Sequence, residues 1–469
     1  MARADIIEYH EKQQYPSHTK AVAGVIIFIG AFFAWGIYSL WALWQTYGTQ
    51  VMAAINSILA VIGLVISPTE AAIGVGAIVG GFILLSALVA LGASFLAKRL
   101  GGTLIYIGAV FMNLITWAIP VILLATGALP IADFLQAWPV LIPGLFTLFL
   151  TLLLLTVFRE RVRRAGEIVK LTGQVCLDEK GVFVPPLLTM IFTLVSALMF
   201  GAIIFQFTPI EVLLGTVDLS IENGWPLGIG IVAYLFTTIF FYNFAYATSS
   251  AMVYIYMRGR DPSLGDGIRS SLGVITGIII LSIASVVVVI IRIILERLGR
   301  EVGGAGGAAV GRAAGGIVGW IWALLNYFTI PAMVAEELGA KDGIKRSAGL
   351  VRNNFVDVLI KETAVRWAFG VLAVTFFLAF ALGGAALGWL AGGGDIFWII
   401  GMGVIFAVLA GIPVTLVLRT FDIVYVTLLY VFIRRKEGDI TGKTAIPAAM
   451  SSELEGAYAR AQREGENQT

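Results

Sequence analysis

The feature that most constrains this chain is a succession of apolar runs as long as a bilayer is thick, Phe183–Phe207 and Val274–Ile294 among them. An α-helix needs about 20 predominantly apolar residues to cross the hydrocarbon layer. Inside that layer every backbone N–H and C=O must be satisfied within the protein, which leaves helices or a closed barrel. Barrel strands are about 10 residues long and alternate in polarity; these runs are too long and do not alternate. Composition agrees. Only 13% of the residues are charged and 59% are hydrophobic, against about 25% charged in a soluble domain. The expected fold class is therefore all-α, a polytopic integral membrane helix bundle. It has about ten or eleven spanning helices, with amphipathic helices at the interface.

The spans read at 21–45, 50–67, 71–97, 102–126, 138–158, 183–207, 226–257, 271–295, 316–335, 364–391 and 396–418, with 419–434 as a doubtful continuation. The second is the weakest, because Ser67, Pro68, Thr69 and Glu70 end it early. Short-loop Lys and Arg favour the cytoplasm. Five clusters fall two spans apart and so on one side: Lys98/Arg99, Arg159–Lys170, Arg258–Arg269, Lys341–Arg352 and Arg434–Lys436. Arg297, Arg300 and Arg312 are a mild exception. If 50–67 spans, the N-terminus is outside; if not, it is inside.

Four parts follow: a membrane block of about five helices at 1–158, an Arg-rich cytoplasmic connector at 159–182, a second membrane block at 183–436 and a polar cytoplasmic tail at 437–469. The Gly/Ala-rich stretch 301–316 is expected to be a loop, since glycines weaken a helix in water. The alternative is a close-packed helix, since small residues let membrane helices approach.

Two segments carry local signals. Ser263 and Asp266 have the spacing of a capping box opening a helix from Leu264 to about Ser271. In Asp342–Glu362, Ile344, Ala348, Val351, Phe355 and Val358 recur at helical spacing opposite Lys345, Arg346, Arg352, Asn353 and Asp357. That pattern suits a helix lying in the headgroup layer. Gly343–Val351 echoes Gly267–Ile275, with Glu167–Val175 as a fainter copy, and Tyr254–Arg258 echoes Tyr430–Arg434. Chance likeness among apolar helices competes with a true internal repeat.

These residues also carry a resemblance. From about 160 to 457 the chain resembles a family of uncharacterised prokaryotic polytopic membrane proteins, through Phe240–Asn243, Arg258–Ser271, Asn326–Asn354 and Val424–Asp439. The layout is similar to the membrane domain attached to some glycerophosphodiester phosphodiesterases, without their soluble catalytic domain. The resemblance implies a multi-pass membrane fold and transfers no activity.

Ionisable and amide groups within spans are the remaining clues, since such groups are expensive in hydrocarbon. The candidates for a polar pathway or buried pairing are Arg419 and Asp422, three apart; Arg292 and Glu296, four apart on one helix face; and Asn243 and Asn326 in the seventh and ninth spans. Snorkelling ends and interhelical hydrogen bonds are the structural alternative. One cysteine, Cys176, and two histidines before the first span, His10 and His18, exclude a disulfide within the chain and a His/Cys metal site in the membrane. No phosphate loop, nucleophile elbow or HExxH motif occurs. No enzyme, catalytic residue or cofactor is expected, and no nucleic-acid partner. The partners are the lipid bilayer and, beyond it, other proteins or a second copy. Two readings stay open: a permease or channel-like protein for a small solute or lipid, and a scaffold or accessory subunit of a larger membrane assembly.

Overall fold

A computed structural model of the chain describes residues 18–59, 66–126, 138–208, 221–257 and 261–436. Arg258, Arg260 and the tail 437–469 lie outside the described residues. What is described is all-α, with no strand. The helices are α1 (Thr19–Leu59), α2 (Pro68–Leu100), α3 (Thr103–Ala125), α4 (Trp138–Thr156), α5 (Arg159–Asp178), α6 (Val184–Phe207) and α7 (Ile221–Met257). They continue with α8 (Leu264–Gly273), α9 (Ile275–Leu325), α10 (Thr329–Glu336), α11 (Ala340–Asn353), α12 (Phe355–Ile360), α13 (Arg366–Ala391) and α14 (Ile396–Lys436).

Nine described helices are long and apolar enough to cross a membrane, and a tenth crossing is counted if α4 and α5, bent by 89° at their junction, are taken as one span. The chain is a multi-pass membrane protein. The expected separate span at 50–67 is absent: residues 50–59 continue α1, and 60–65 lie outside the described residues. The polar break at 45–50 holds one glycine and no proline, which weakens a helix by about 1 kcal/mol without stopping it. Ser67 and Glu70 instead open α2. The Ser67 hydroxyl accepts from the Glu70 amide, and the Glu70 carboxylate accepts from the Ser67 amide at 2.7 Å. With α1 a single crossing, its start lies on the basic side. There the His18 ring nitrogen sits 3.0 Å from the Gly273 carbonyl at the end of α8.

The loop expected at 301–316 is also overturned. Helix fills Ile275–Leu325 on both sides of a reversal at Gly304, whose φ is +56°. Two antiparallel arms result, Ile275–Val302 and one beginning at Gly306. A Cβ built on Gly299 would lie 2.8 Å from Gly311 Cα, and one on Gly311 would lie 2.5 Å from the Leu295 carbonyl oxygen. Trp322 Nε1 donates to Ser285 Oγ across the same seam. Gly307, Gly311, Gly315 and Gly319 recur every four residues, so they form one stripe along which the second arm meets the first. In a membrane that close approach is favourable, and the cost of glycine in a water-exposed helix does not decide.

Burial shows where the membrane ends. Large apolar side chains are exposed on α14 from Ile396 to Leu409 and on α7 from Trp225 to Val232, as lipid-facing residues are. Beyond Arg419, α14 is covered almost completely to Arg434, and α7 is buried over 247–255. Residues 396–419 already span about 36 Å at 1.5 Å per residue, more than the ~30 Å of hydrocarbon. The expected doubtful continuation 419–434 is therefore helix that projects past the membrane edge; α5, α8 and α10 wrap it and the end of α7, and α11 packs on α10 and the start of α9. This wrapped region holds most of the fully buried large side chains, including Tyr254, Phe421, Tyr425, Phe328 and Tyr430.

The wrapping helices attach through small residues. Ser263 and Asp266 form the expected capping box at the start of α8. A Cβ on Gly267 would meet Met252 and Thr248 at 2.9 Å, and one on Gly343 would meet Met333 at 2.7 Å and Thr329 at 3.4 Å. Four residues after each glycine a serine makes the next bond: Ser271 pairs with Thr248, and Ser347 Oγ accepts from the Phe328 amide at 2.8 Å. Two of the three echoing segments thus share one packing device, a glycine and serine one turn apart seated on a Thr-x-x-x-Met helix face. Glu167–Val175 packs differently, through Gly166 against Gly102 and Gly173 against Lys98.

The interfacial helix is shorter than expected. It ends at Asn353; Phe355 to Glu362 belongs to the next span. Its buried stripe is Gly343, Ser347, Leu350 and Val351, which faces protein, while Phe355 is exposed.

Candidate functional site

At the membrane edge α12 passes into α13 through a π-helical turn, Lys361–Val365. Such turns shift the helix register and recur at functional sites. Here the turn carries Lys361, whose side chain is only 3% exposed, against α14. Its ammonium donates to Glu362 at 2.9 Å and to Asp422 in a short ion pair. Tyr327 lies beneath it, ring centroid 5.2 Å from Nζ. Glu362 also takes Arg366 at 3.1 Å. One turn along, Arg161 of α5 pairs with Asp357 of α12 at 3.2 Å. A lysine held between two carboxylates is neutralised in place, so the arrangement fastens α12 and α13 to α14.

A second knot lies further from the membrane. Glu336, at the end of α10, receives Arg346 of α11 at 3.2 Å, Arg434 of α14 at 3.1 Å and the Tyr430 hydroxyl. Three elements that the sequence separates by up to 98 positions are joined on one carboxylate. Tyr254 and Tyr430, equivalent in the echoed segments, meet edge to face with ring centroids 6.4 Å apart.

The residues expected to line a polar path are distributed as follows. Asp422 is paired with Lys361 rather than with Arg419. The exposed Arg419 guanidinium lies 5.6 Å from the Tyr242 ring centroid instead. Asn243 is buried and donates to Ser282 at 3.0 Å, joining α7 to α9. Asn326 caps the second arm of α9 and donates to the Trp322 carbonyl of its own helix. Arg292 and Glu296 form no pair with each other: Glu296 sits 3.8 Å from Arg300, and the Arg292 guanidinium lies over Gly319 of the opposing arm. Asp422 and Lys361 share a cluster with Tyr327, the neighbour of Asn326, while Arg292 and Glu296 belong to the hairpin.

Sequence reasoning missed Lys361, which lies at the end of the segment read as an interfacial helix, Asp342–Glu362. The legible signal was Lys361-Glu362 at the threshold of a long apolar run. Outside the spans, Glu179 has its carboxyl held above the usual range, first by burial and then by the like charges of Asp261 and Asp178. Among the described residues no group of three His, Cys, Asp or Glu is arranged to hold a metal ion.

No curated protein matches the chain. A family model does match, over residues 227–442, a stretch that contains Tyr242, Asn243, Glu336, Lys361, Asp422 and Arg434 and excludes α1–α6; over those residues the chain is similar to a family of unknown function (DUF6159).

Proposed function

We propose that this multi-pass membrane protein is a non-catalytic scaffold or accessory subunit, which presents the wrapped ends of α7 and α14 on the cytoplasmic side to a protein partner. The observation that carries this reading is how the polar groups are spent. Asn243 donates to a neighbouring helix and Asn326 to its own, although the Asn326 amide oxygen is buried without a hydrogen-bond partner. The ionised groups at the membrane edge close on each other as Lys361–Asp422–Glu362 and Glu336–Arg346–Arg434. The Lys361–Asp422 and Glu336–Arg346–Arg434 pairs each fix one helix to another, so these charges are spent on packing and not on a moving solute. The basic side is assigned to the cytoplasm because Lys and Arg in short loops favour it.

The test compares two measurements on one preparation. Protein reconstituted in sealed vesicles is assayed for flux of protons, potassium and small entrapped anions. The same protein, gently solubilised from native membranes, is assayed for a stoichiometric partner. The scaffold reading expects flux equal to empty vesicles and a retained partner. Flux that Asn243→Leu or Asp422→Asn abolishes overturns it in favour of a permease or channel.

A further inference from the structure

On the basic side, the turn between α2 and α3 and the first half of α5 enclose a pocket of about 420 Å³. Its wall carries four cations, Arg99, Arg159, Arg163 and Lys170, against one carboxylate, Glu167. The first residues of α3, Gly102 and Thr103, complete it. The negative end of α2 meets the positive end of α3 at this turn, so the attraction for an anion rests on the side-chain cations. The floor is fixed by backbone contact. A Cβ on Gly166 would lie 2.5 Å from Gly102 Cα, and one on Gly173 would lie 2.5 Å from the Lys98 amide nitrogen. The pocket therefore exists because α5, after its 89° bend from α4, lies directly on the α2–α3 turn.

A second cavity lies further along α3. Val110, Leu114, Trp117 and Ala118 of α3, with Thr151 and Leu155 of α4, line an apolar groove of about 490 Å³. Tyr106 lines the pocket and Val110 the groove, one helical turn apart, about 5.4 Å. Leu155 lines the groove and Arg159 the pocket, again four residues apart. Val110 and Leu114 stand on the lipid-facing surface. The amide oxygen of Asn113, which also lines the groove, is buried with no hydrogen-bond partner. A cationic pocket at the membrane edge, with an apolar groove beginning one turn further along α3, has the polarity of one molecule.

We propose that this is a binding site for an anionic phospholipid, its phosphodiester headgroup in the pocket and an acyl chain along the α3–α4 groove. The cations hold the phosphate oxygens. Tyr106 sits at headgroup level as interfacial aromatics do. Glu167 disfavours a second negative charge, so a singly charged diester fits better than a doubly charged monoester. The site lies wholly outside residues 227–442, the stretch similar to the uncharacterised family, and it does not depend on the scaffold reading.

The test titrates delipidated protein in a non-ionic detergent with dioleoyl phosphatidylglycerol, with dioleoyl phosphatidylcholine and with inorganic phosphate, counting bound lipid by native mass spectrometry. The expectation is one phosphatidylglycerol per chain, at least tenfold weaker phosphatidylcholine, and no competition by millimolar phosphate. Each cation near a headgroup is worth on the order of fivefold. Arg159→Gln and Lys170→Gln should each weaken phosphatidylglycerol by about that factor, and together by about 25-fold, while Lys345→Gln on α11 changes nothing. Ala118→Trp, which fills the groove and leaves the pocket intact, should weaken the diacyl lipid as well. Equal binding of the two lipids, an unchanged double variant, or an equal effect of Lys345→Gln overturns the proposal. Phosphate competing as well as the lipid also overturns it, and marks the pocket as a site for a soluble anion.

Discussion

Lys361 should prove less sensitive to its own removal than to removal of its partners. The ammonium is 3% exposed, whereas Asp422 and Glu362 are 40% and 28% exposed. Lys361→Met leaves two carboxylates that water can reach, and the methionine keeps most of the buried stem, so the cost is held to about 1–2 kcal/mol. The double variant Glu362→Gln/Asp422→Asn leaves a buried ammonium with no counter-charge. Stranding a buried charge costs about 3–5 kcal/mol, to which the exposed Glu362–Arg366 pair adds only about 0.3–0.5 kcal/mol. The triple variant with all three changes should recover to within about 1 kcal/mol of wild type, because no charge is left buried and water can hydrogen-bond the two part-exposed amides; what stays lost includes the Lys361–Tyr327 contact. The assay is reversible unfolding in mixed detergent micelles, with size-exclusion profiles to confirm the folded baseline. If Lys361→Met destabilises as much as the double variant, Lys361 is not the buried member of this cluster and the asymmetry is wrong.

Three further outcomes are expected. Gly311→Leu should destabilise by about 1–3 kcal/mol, as overpacking does, whereas Gly316→Leu, with nothing within 4 Å of its Cβ, should be near neutral; equal effects in the same unfolding assay would contradict the hairpin seam. Single cysteines at Lys180 and Lys345 should react with a membrane-impermeant maleimide from one side and those at Val302 and Asp395 from the other, against a background left silent by the fully buried Cys176; any exchange of sides breaks the crossing count. Glu179 has its folded value raised above the unfolded one, so its favourable contribution is complete below the ordinary carboxylate value and is lost as pH rises through the raised value; Glu179→Gln should therefore gain stability relative to wild type between acid and neutral pH, and a pH-independent difference would sink this.

The fold class was legible because the membrane asks one crude question of a sequence, whether an apolar run is long enough, and Phe183–Phe207 or Val274–Ile294 answers it without reference to any other residue. The errors came where the answer depended on something outside the run. The glycines of 301–316 read as a loop because their cost was taken in water. The same residues, at four-residue spacing from Gly307 to Gly319, are an interhelical seam once a second arm packs against them. At 67–70 the Ser-Pro-Thr-Glu sequence was read as the end of one helix, although a serine three residues before a glutamate is a start signal.

The site was harder to read for a different reason. Arg419 and Asp422, three apart, are expected to pair with each other or with a polar group on a neighbouring helix, and a single sequence supplies only the proximity along one helix that suggests the first. The pairing that forms, Asp422 with Lys361, joins residues 61 positions apart, and it depends on a π-helical turn that no propensity announces. Burial also changed the meaning of position. Residues 419–434 resembled a failed span because they follow a complete one, yet helix emerging from a membrane has a second way to be covered. Here α5, α8 and α10 supply it, with α11 packed on α10, each with small residues on the contact face, so the apolar character of Phe421, Tyr425 and Tyr430 serves a protein core and not lipid. A hydropathy plot cannot separate those two destinations, since both reward the same side chains. What separates them is the wrapping helices, whose glycines and serines at Gly267/Ser271 and Gly343/Ser347 were visible in the sequence as an echo before their purpose was.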